Sequence, residues 1–429
     1  MQFNPAPATI MHIDINSCFA SIEQQANPLF RGHPLVVAAY TTDRGCILAA
    51  SREAKKLGIK TGMRVFEGKN IYPRLIVLPS DPPKYRFVNH ALLALLQQYC
   101  ADVEVQSIDE MVLQMNLESG IRNHEESKIN KPIIHNSLFM IHEITNEMFQ
   151  IANEIKKRIT SEIGEWLTVS IGISTNHYLA KIASNLHKTD GLDMITVQNI
   201  EHILCSLKLE ELTGIKEGYG RRLRTYGIDC PLAMYRASGA RLAAAFDSKI
   251  GYDWQLMLHG WDPTAASGQD RIKSIGHSYA LPKSYLPTDV RLHQILSQLV
   301  EKMGRRLRDG HFSAGGIRIA TVFNDHTYWN HGEKLVHTFF ANHDLYYASL
   351  TILNKAPKKP VKLLAVSSYF LADQNQEQLD LFDRSDRKRA LTQALDAISD
   401  RWGEFTVTPA RMLGMEHRIL DRIAFGGVR

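Results

Sequence analysis

Cysteine is scarce in this chain. It occurs five times in 429 residues, at Cys18, Cys46, Cys100, Cys205 and Cys230. The number is odd, the spacings are long and no CxxC pair occurs, which argues against a disulfide framework or a thiolate zinc site. Long hydrophobic runs are also missing. No stretch approaches the roughly 18 apolar residues that span a bilayer. Residues Met1-Gln2-Phe3-Asn4-Pro5-Ala6-Pro7 lack the basic start and apolar stretch of a secretory signal, so a cytoplasmic protein without a membrane partner is expected. Low-complexity segments and internal repeats are absent too. What is present is an ordinary globular composition, 44% hydrophobic and 22% charged, in a chain long enough for about three domains.

Charge is small in total and uneven in place. The whole chain carries +5, whereas Arg271 to Ala372 hold 14 Lys and Arg against 6 Asp and Glu, a net of +8. Everything outside this segment is therefore net acidic. Such a concentration suits a module that binds a polyanion; a solvated basic surface is the other reading.

The pattern of apolar residues predicts strands at 10–15, 34–39, 103–107, 111–115 and 167–173. It predicts helices at 18–26, at 84–99 (apolar face Phe87, Ala91, Leu92, Leu95, Leu96) and from Ile144 through Ile159 to about Gly164. Residues 117–139 read as a polar loop. With residues 16–80 set aside as an insertion, the order is β-α-β-β-α-β, a ferredoxin-like sheet with helices on one face. Residues 186–262 are mostly helical around a Gly-rich turn at 214–220. Residues 271–372 mix strands (317–323, 361–369) with helices (289–308, 344–354). A helix is expected near 387–401.

Asp14 ends the first strand, and Asp109 and Glu110 lie between two later ones. In this topology the first and third strands are central neighbours, so the three acids can meet although 95 positions separate Asp14 from Asp109. Clustered carboxylates repel unless a cation neutralises them. Hard oxygen donors suit Mg²⁺ or Mn²⁺ bound together with substrate phosphates. Taken alone, an Asp-Glu pair such as Asp109-Glu110 reads as ordinary turn acids; only the surrounding motifs weigh against that.

The motifs around these acids resemble the Y-family, or translesion, DNA polymerases. His12-Ile13-Asp14-Ile15-Asn16-Ser17-Cys18-Phe19-Ala20-Ser21-Ile22-Glu23 is similar to the first motif of that family, and Ser107-Ile108-Asp109-Glu110 to the second. Ser170-Ile171-Gly172-Ile173-Ser174 with Asn176 and Leu179-Ala180-Lys181-Ile182-Ala183-Ser184 is similar to the third. The resemblance spans nearly the whole chain. It implies an α+β right-hand polymerase: a ferredoxin-like palm (1–15 and 80–185), small fingers (16–79), a helical thumb with a helix-hairpin-helix (186–262), an α/β little finger (271–372) and a C-terminal tail (373–429).

It also implies the chemistry. Asp14, Asp109, Glu110 and the Ile15 carbonyl would hold two Mg²⁺, with Mn²⁺ able to substitute. Phe19 would be the steric gate that excludes a ribose 2′-OH. Arg52, Lys55 and Lys181 would contact the dNTP triphosphate. Leu212 to Leu223 resembles the helix-hairpin-helix, whose Gly214, Lys216 and Gly218 would approach a DNA phosphate; Lys216 stands in place of the usual second Gly. Lys273 begins the stretch that resembles the opening strand of the little finger. Gln378-Leu379-Asp380-Leu381-Phe382 resembles the sliding-clamp peptide, with Gln378, Leu379, Leu381 and Phe382 as contacts.

There are departures. Asn16 replaces a frequent Asp, Cys18 a frequent aromatic, and no Pro follows Lys188. Leu395 to Val407 resembles the tail of the polymerase V catalytic subunit, so the branch stays open between polymerase IV and polymerase V. The expected partners are primer–template DNA, dNTPs, the sliding clamp (β subunit of the replicative polymerase) and SOS accessory proteins. Two rivals remain: a non-catalytic clamp-binding relative, which would lack the acids, and a two-metal phosphoesterase.

Overall fold

The computed structural model of the chain describes residues 1–115, 137–263, 272–373, 385–414 and 419. The clamp-like peptide Gln378 to Phe382 and most of the 117–139 segment lie outside the described residues. The chain divides into two compact units, Met1–Gly268 and Gln269–Asp421.

The first unit is built on a five-stranded sheet. Its strands are β1 (Ile10–Ile15), β5 (Val103–Val105), β6 (Glu110–Gln114), β7 (Val169–Ser174) and β8 (Leu192–Met194), in the order β5-β6-β1-β7-β8. A second sheet holds β2 (Leu35–Ala38), β3 (Ile47–Ala50) and β4 (Ile76–Pro79), with β2 central. In the larger sheet β1 runs antiparallel to both β6 and β7, and β7 runs parallel to β8. Helix Pro82–Leu96 joins β1 to β5 by way of the small sheet, and helix Ser137–Arg158 leads from β6 to β7. This is the ferredoxin-like order expected from the sequence, and the chain is an α+β fold.

Strand periodicity decides what faces where. Met11, Ile13 and Ile15 of β1 share a core with Met111, Leu113, Ile171 and Ile173. Onto it pack Leu92, Leu95, Leu96, Met148 and Ile155 of the two helices. The alternate residues, His12 and Asp14, face the other way. That face is not open, contrary to the expectation of helices on one side. Helix His177–Leu186 covers it, started by Asn176, whose side chain accepts the Leu179 N–H. Gly172 of β7 permits the approach, because a Cβ there would lie 2.0 Å from the Ala180 carbonyl oxygen. One other expectation fails. Phe87 is 74% exposed, and the buried face of its helix is Tyr85, Val88, Asn89, Leu92, Leu95 and Leu96.

Five helices between Ile200 and Leu258 enclose a core that includes Ile215, Leu223, Leu242, Phe246, Trp254 and Leu258. Only the start of the expected Gly-rich turn is a turn. Gly214 takes the left-handed conformation (φ 93°), whereas Gly218 and Gly220 already belong to helix Glu217–Thr225.

The second unit is a four-stranded antiparallel sheet of order β11-β10-β12-β9, from β9 (Ser274–Tyr285), β10 (Phe312–Phe323), β11 (Tyr328–Phe339) and β12 (Val361–Asp373). Helices Val290–Asp309 and Asn342–Leu353 cover one face through Leu296, Val300, Met303, Leu345 and Ile352. The tail belongs to this unit. Helix Ser385–Trp402 is tied to it by a two-pronged bond from the Arg308 guanidinium to Asp396, at 2.6 and 2.7 Å. Lys388 pairs with Asp344 at 3.0 Å.

Candidate active site

β1 and β6 pair so that Asp14 lies directly across from Glu110. Asp109 precedes β6, and its carbonyl accepts the Ile15 N–H at 2.9 Å, which ties the two motifs together. Ser107 shapes the turn: its hydroxyl bonds the Asp109 carboxylate and accepts the Glu110 N–H at 3.1 Å. Asp14, Ile15, Asp109 and Glu110 line one cleft of about 500 Å³, together with Phe19, Lys55, Lys181 and Lys188.

The electrostatics of this cleft are those of a buried carboxylate cluster. Burial, with Asp109 and Glu110 nearby, pushes the Asp14 carboxyl up to about 6 despite an ion pair with Lys188. Burial raises Asp109 as well, and Glu110 adds to it. Lysines answer the charge: Lys188 Nζ lies 2.8 Å from Asp14 and Lys181 Nζ 2.6 Å from Glu110. Desolvation in the cleft, then the Lys188 ammonium, lowers Lys55. As the side chains stand, no three His, Cys, Asp or Glu groups among the described residues converge on a single metal position. The donors are nevertheless all hard oxygens, two of the carboxylates held by lysines, so they fit Mg²⁺ or Mn²⁺.

Phe19 sits on helix Cys18–Ala26 at the cleft wall, 6% exposed. Its ring stacks on Tyr85 at 4.3 Å and 11°. The Tyr85 hydroxyl donates to Glu23 at 2.9 Å, and Lys84 holds the same carboxylate at 2.6 Å. The Phe19 ring therefore has a fixed support. Cys18 also lines the cleft. Asn16 does not, being bonded to Thr168 and Ser170, so the frequent Asp it replaces would not face the acids.

Arg52 is not brought to the cleft; its guanidinium lies 5.3 Å from the Trp166 ring centroid. Gly214 and Lys216 form the turn before helix Glu217–Thr225, where the first N–H bonded back into the helix is that of Gly220, to Lys216. Nothing lies within 4 Å of a Cβ built on exposed Gly218, so the fold itself does not demand glycine there. Lys273 is exposed beside the start of β9. Sequence reasoning missed Lys188, Ser107, Tyr85 and His12. His12 and Ser107 lay inside the first two motifs without a role assigned, Lys188 just beyond the third, and Tyr85 carried no signal.

Comparison with known proteins agrees with this geometry. Residues 13–185 match the impB/mucB/samB family and residues 272–381 match its C-terminal domain. DNA polymerase IV of Pelotomaculum thermopropionicum is 29% identical, over 94% of this chain and 96% of that protein. DNA polymerase IV of Moorella thermoacetica is also 29% identical, over 92% and 94%. Among solved structures, a Y-family DNA polymerase chimera aligns with a TM-score of 0.68 at 23% identity, covering 84% of this chain and 98% of that one. The fold and the paired carboxylates thus define a Y-family polymerase architecture. The chain belongs to the impB/mucB/samB family, the Y-family DNA polymerases, and the relatives it matches are of the polymerase IV type.

Proposed function

We propose that this chain is a template-directed DNA polymerase of the translesion type, working without proofreading and serving DNA repair. The observation that carries the reading is the cleft that brings Asp14, Asp109 and Glu110 together beside Phe19 and three lysines. Asp14, Asp109, Glu110 and the Ile15 carbonyl would hold two Mg²⁺. When bound, these supply the charge that activates a primer 3′-OH and stabilises a leaving pyrophosphate. Lys55 and Lys181 orient the triphosphate as point charges. The Phe19 ring, backed by Tyr85, fills the space of a 2′-OH.

DNA binding falls to two surfaces. One is the start of helix Glu217–Thr225, with Gly214, Lys216 and Gly218, where backbone N–H groups suit a phosphate. The other is the face of the second unit's sheet opposite its helices. Arg318 and Lys334 are exposed there beside Gly332, Ser367 and Tyr369. The Gln378 to Phe382 peptide supplies the contact to a sliding clamp. The insertion and post-insertion complexes described for Dbh DNA polymerase share the fold and support a substrate of this kind. Primer–template incubated with dNTPs and Mg²⁺ tests the reading. Extension supports it; degradation of the primer indicates a phosphoesterase, and no reaction indicates a non-catalytic relative.

A further inference from the structure

His12 is the one buried polar side chain of β1 that the reading above leaves without a task. It is 2% exposed and faces helix His177–Leu186, on the same side of the sheet as Asp14 and Glu110. Its Nδ1 lies 3.3 Å from the Ser184 hydroxyl, and that hydroxyl also bonds the Lys181 carbonyl at 2.9 Å. Its Nε2 has no hydrogen-bond partner. The polar atom it approaches is Oε2 of Glu110, at 3.9 Å. A buried polar nitrogen without a partner is costly and uncommon in native proteins. Here it lies about one ångström short of a bond to a carboxylate of the candidate metal cluster.

The same carboxylate oxygen is held at 2.6 Å by Lys181. Lys181 is also the cation placed to orient the triphosphate, and it cannot keep both partners at full strength. When it turns to phosphate, Glu110 loses its hydrogen bond at the moment it is needed as a ligand.

We infer that His12 is a positioning residue for Glu110: its Nε2–H takes over the carboxylate as Lys181 turns to the nucleotide. Ser184 holds the ring from the far side and sets its orientation. This is the second-layer arrangement that commonly fixes a ligating carboxylate, and loss of such a partner costs about 10–100-fold in metal affinity or activity. The role needs a neutral imidazole in its Nε2–H tautomer, so the Ser184 hydroxyl turns from the Lys181 carbonyl to donate to Nδ1. It rests on the polymerase reading for the part played by Lys181 and Glu110.

Three substitutions separate this role from packing. His12→Phe keeps a ring and removes both nitrogens. His12→Gln places an amide N–H near the Nε2 position, whereas His12→Asn reaches only toward Ser184. The first readout is Mn²⁺ affinity, from electron paramagnetic resonance of the full-length protein with primer–template and a non-reactive dNTP analogue. The second is single-nucleotide kcat and KM against Mg²⁺ concentration.

His12→Phe is expected to weaken Mn²⁺ about tenfold and to lower kcat at limiting Mg²⁺ with little change in dNTP KM. High Mg²⁺ should restore much of the rate. His12→Gln should recover Mn²⁺ affinity and His12→Asn should not. Ser184→Ala, a small change at the far side of the ring, should give a weaker form of the same defect. Mn²⁺ affinity and kcat within twofold of the parent for His12→Phe would overturn the inference, as would equal recovery by Asn and Gln. A parent protein that binds Mn²⁺ but extends no primer would instead count against the polymerase reading.

Discussion

Asp109, Phe19 and Asp14 each have a different predicted failure. Asp109→Ala removes a candidate metal ligand without touching the basic surfaces. Nucleotide incorporation should fall on the order of 10³-fold or more while DNA affinity holds within about twofold. Primer extension and fluorescence anisotropy read the two, and substantial extension by the variant would remove Asp109 from the reaction. Phe19→Ala should open the space beneath the sugar. The ratio of kcat/KM for dCTP to that for CTP should drop on the order of 100-fold, and an unchanged ratio would place the gate elsewhere. Asp14 makes a stability prediction as well. Its carboxyl is raised to about 6, so the folded, metal-free protein favours the protonated form. That preference costs nothing below the unfolded value near 3.8, builds as pH rises through 6 and stays constant above. Asp14→Asn should therefore melt higher than the parent at pH 7.5, by at most about 3 kcal/mol of stability, with the gap closing toward pH 4.5. Added Mg²⁺ should stabilise only the parent. A gap that grows on acidification would refute the assignment. The three acids were legible because a strand end and a tight turn put them in short, recognisable runs. Lys188 and His12 were not. Lys188 meets Asp14 across 174 positions and His12 meets Ser184 across 172, and no local pattern encodes either contact.

At the scale of elements, the tail helix shows how a polar segment is recruited into a unit. Arg308 is nearly buried and depends on Asp396 for charge balance, with further bonds to the Phe340 carbonyl and Asn342. Asp396→Ala leaves that guanidinium without its counter-charge and should cost the second unit about 3 kcal/mol. Earlier urea unfolding and faster proteolysis within 385–414 would show it, while single-nucleotide insertion stays at the parental rate. No change in either would mean the helix docks without this pair. Short, largely buried runs were readable: helix Cys18–Ala26 and strand Ile10–Ile15 fall where the sequence put them. β11 was not foreseen. It is an edge strand with most of its residues exposed on both faces, so burial wrote no alternation into its sequence. Phe87 misled for the opposite reason, a large apolar residue on the solvent side of its helix. The helix over the second palm face was visible only as a motif, because its close approach depends on Gly172.

At the scale of the whole molecule, the charge imbalance makes the second unit the main proposed DNA surface, while the candidate carboxylates lie in the first. The +8 seen between Arg271 and Ala372 falls on the second unit, whose open sheet face carries small residues beneath a few cations. Gly316 is covered by the Tyr369 ring, since a Cβ there would lie 2.6 Å from it, and the Arg318 guanidinium lies over the same ring at 5.2 Å. Lys334 is exposed on the neighbouring strand, two residues along from Gly332, the cross-strand partner of Arg318. Such a surface suits the sugar–phosphate backbone. Binding by the full-length protein should then weaken steeply with salt, the slope of log K against log [salt] being about 0.9 per phosphate neutralised on duplex DNA. Arg318→Gln should reduce that slope by about one and weaken all template sequences alike, with kcat at saturating DNA unchanged. Arg318→Gln with Lys334→Gln should reduce it by about two, because the two cations meet separate phosphates. A slope untouched by the double substitution would place the DNA on another surface. A loss confined to particular template sequences would mean that this face reads bases.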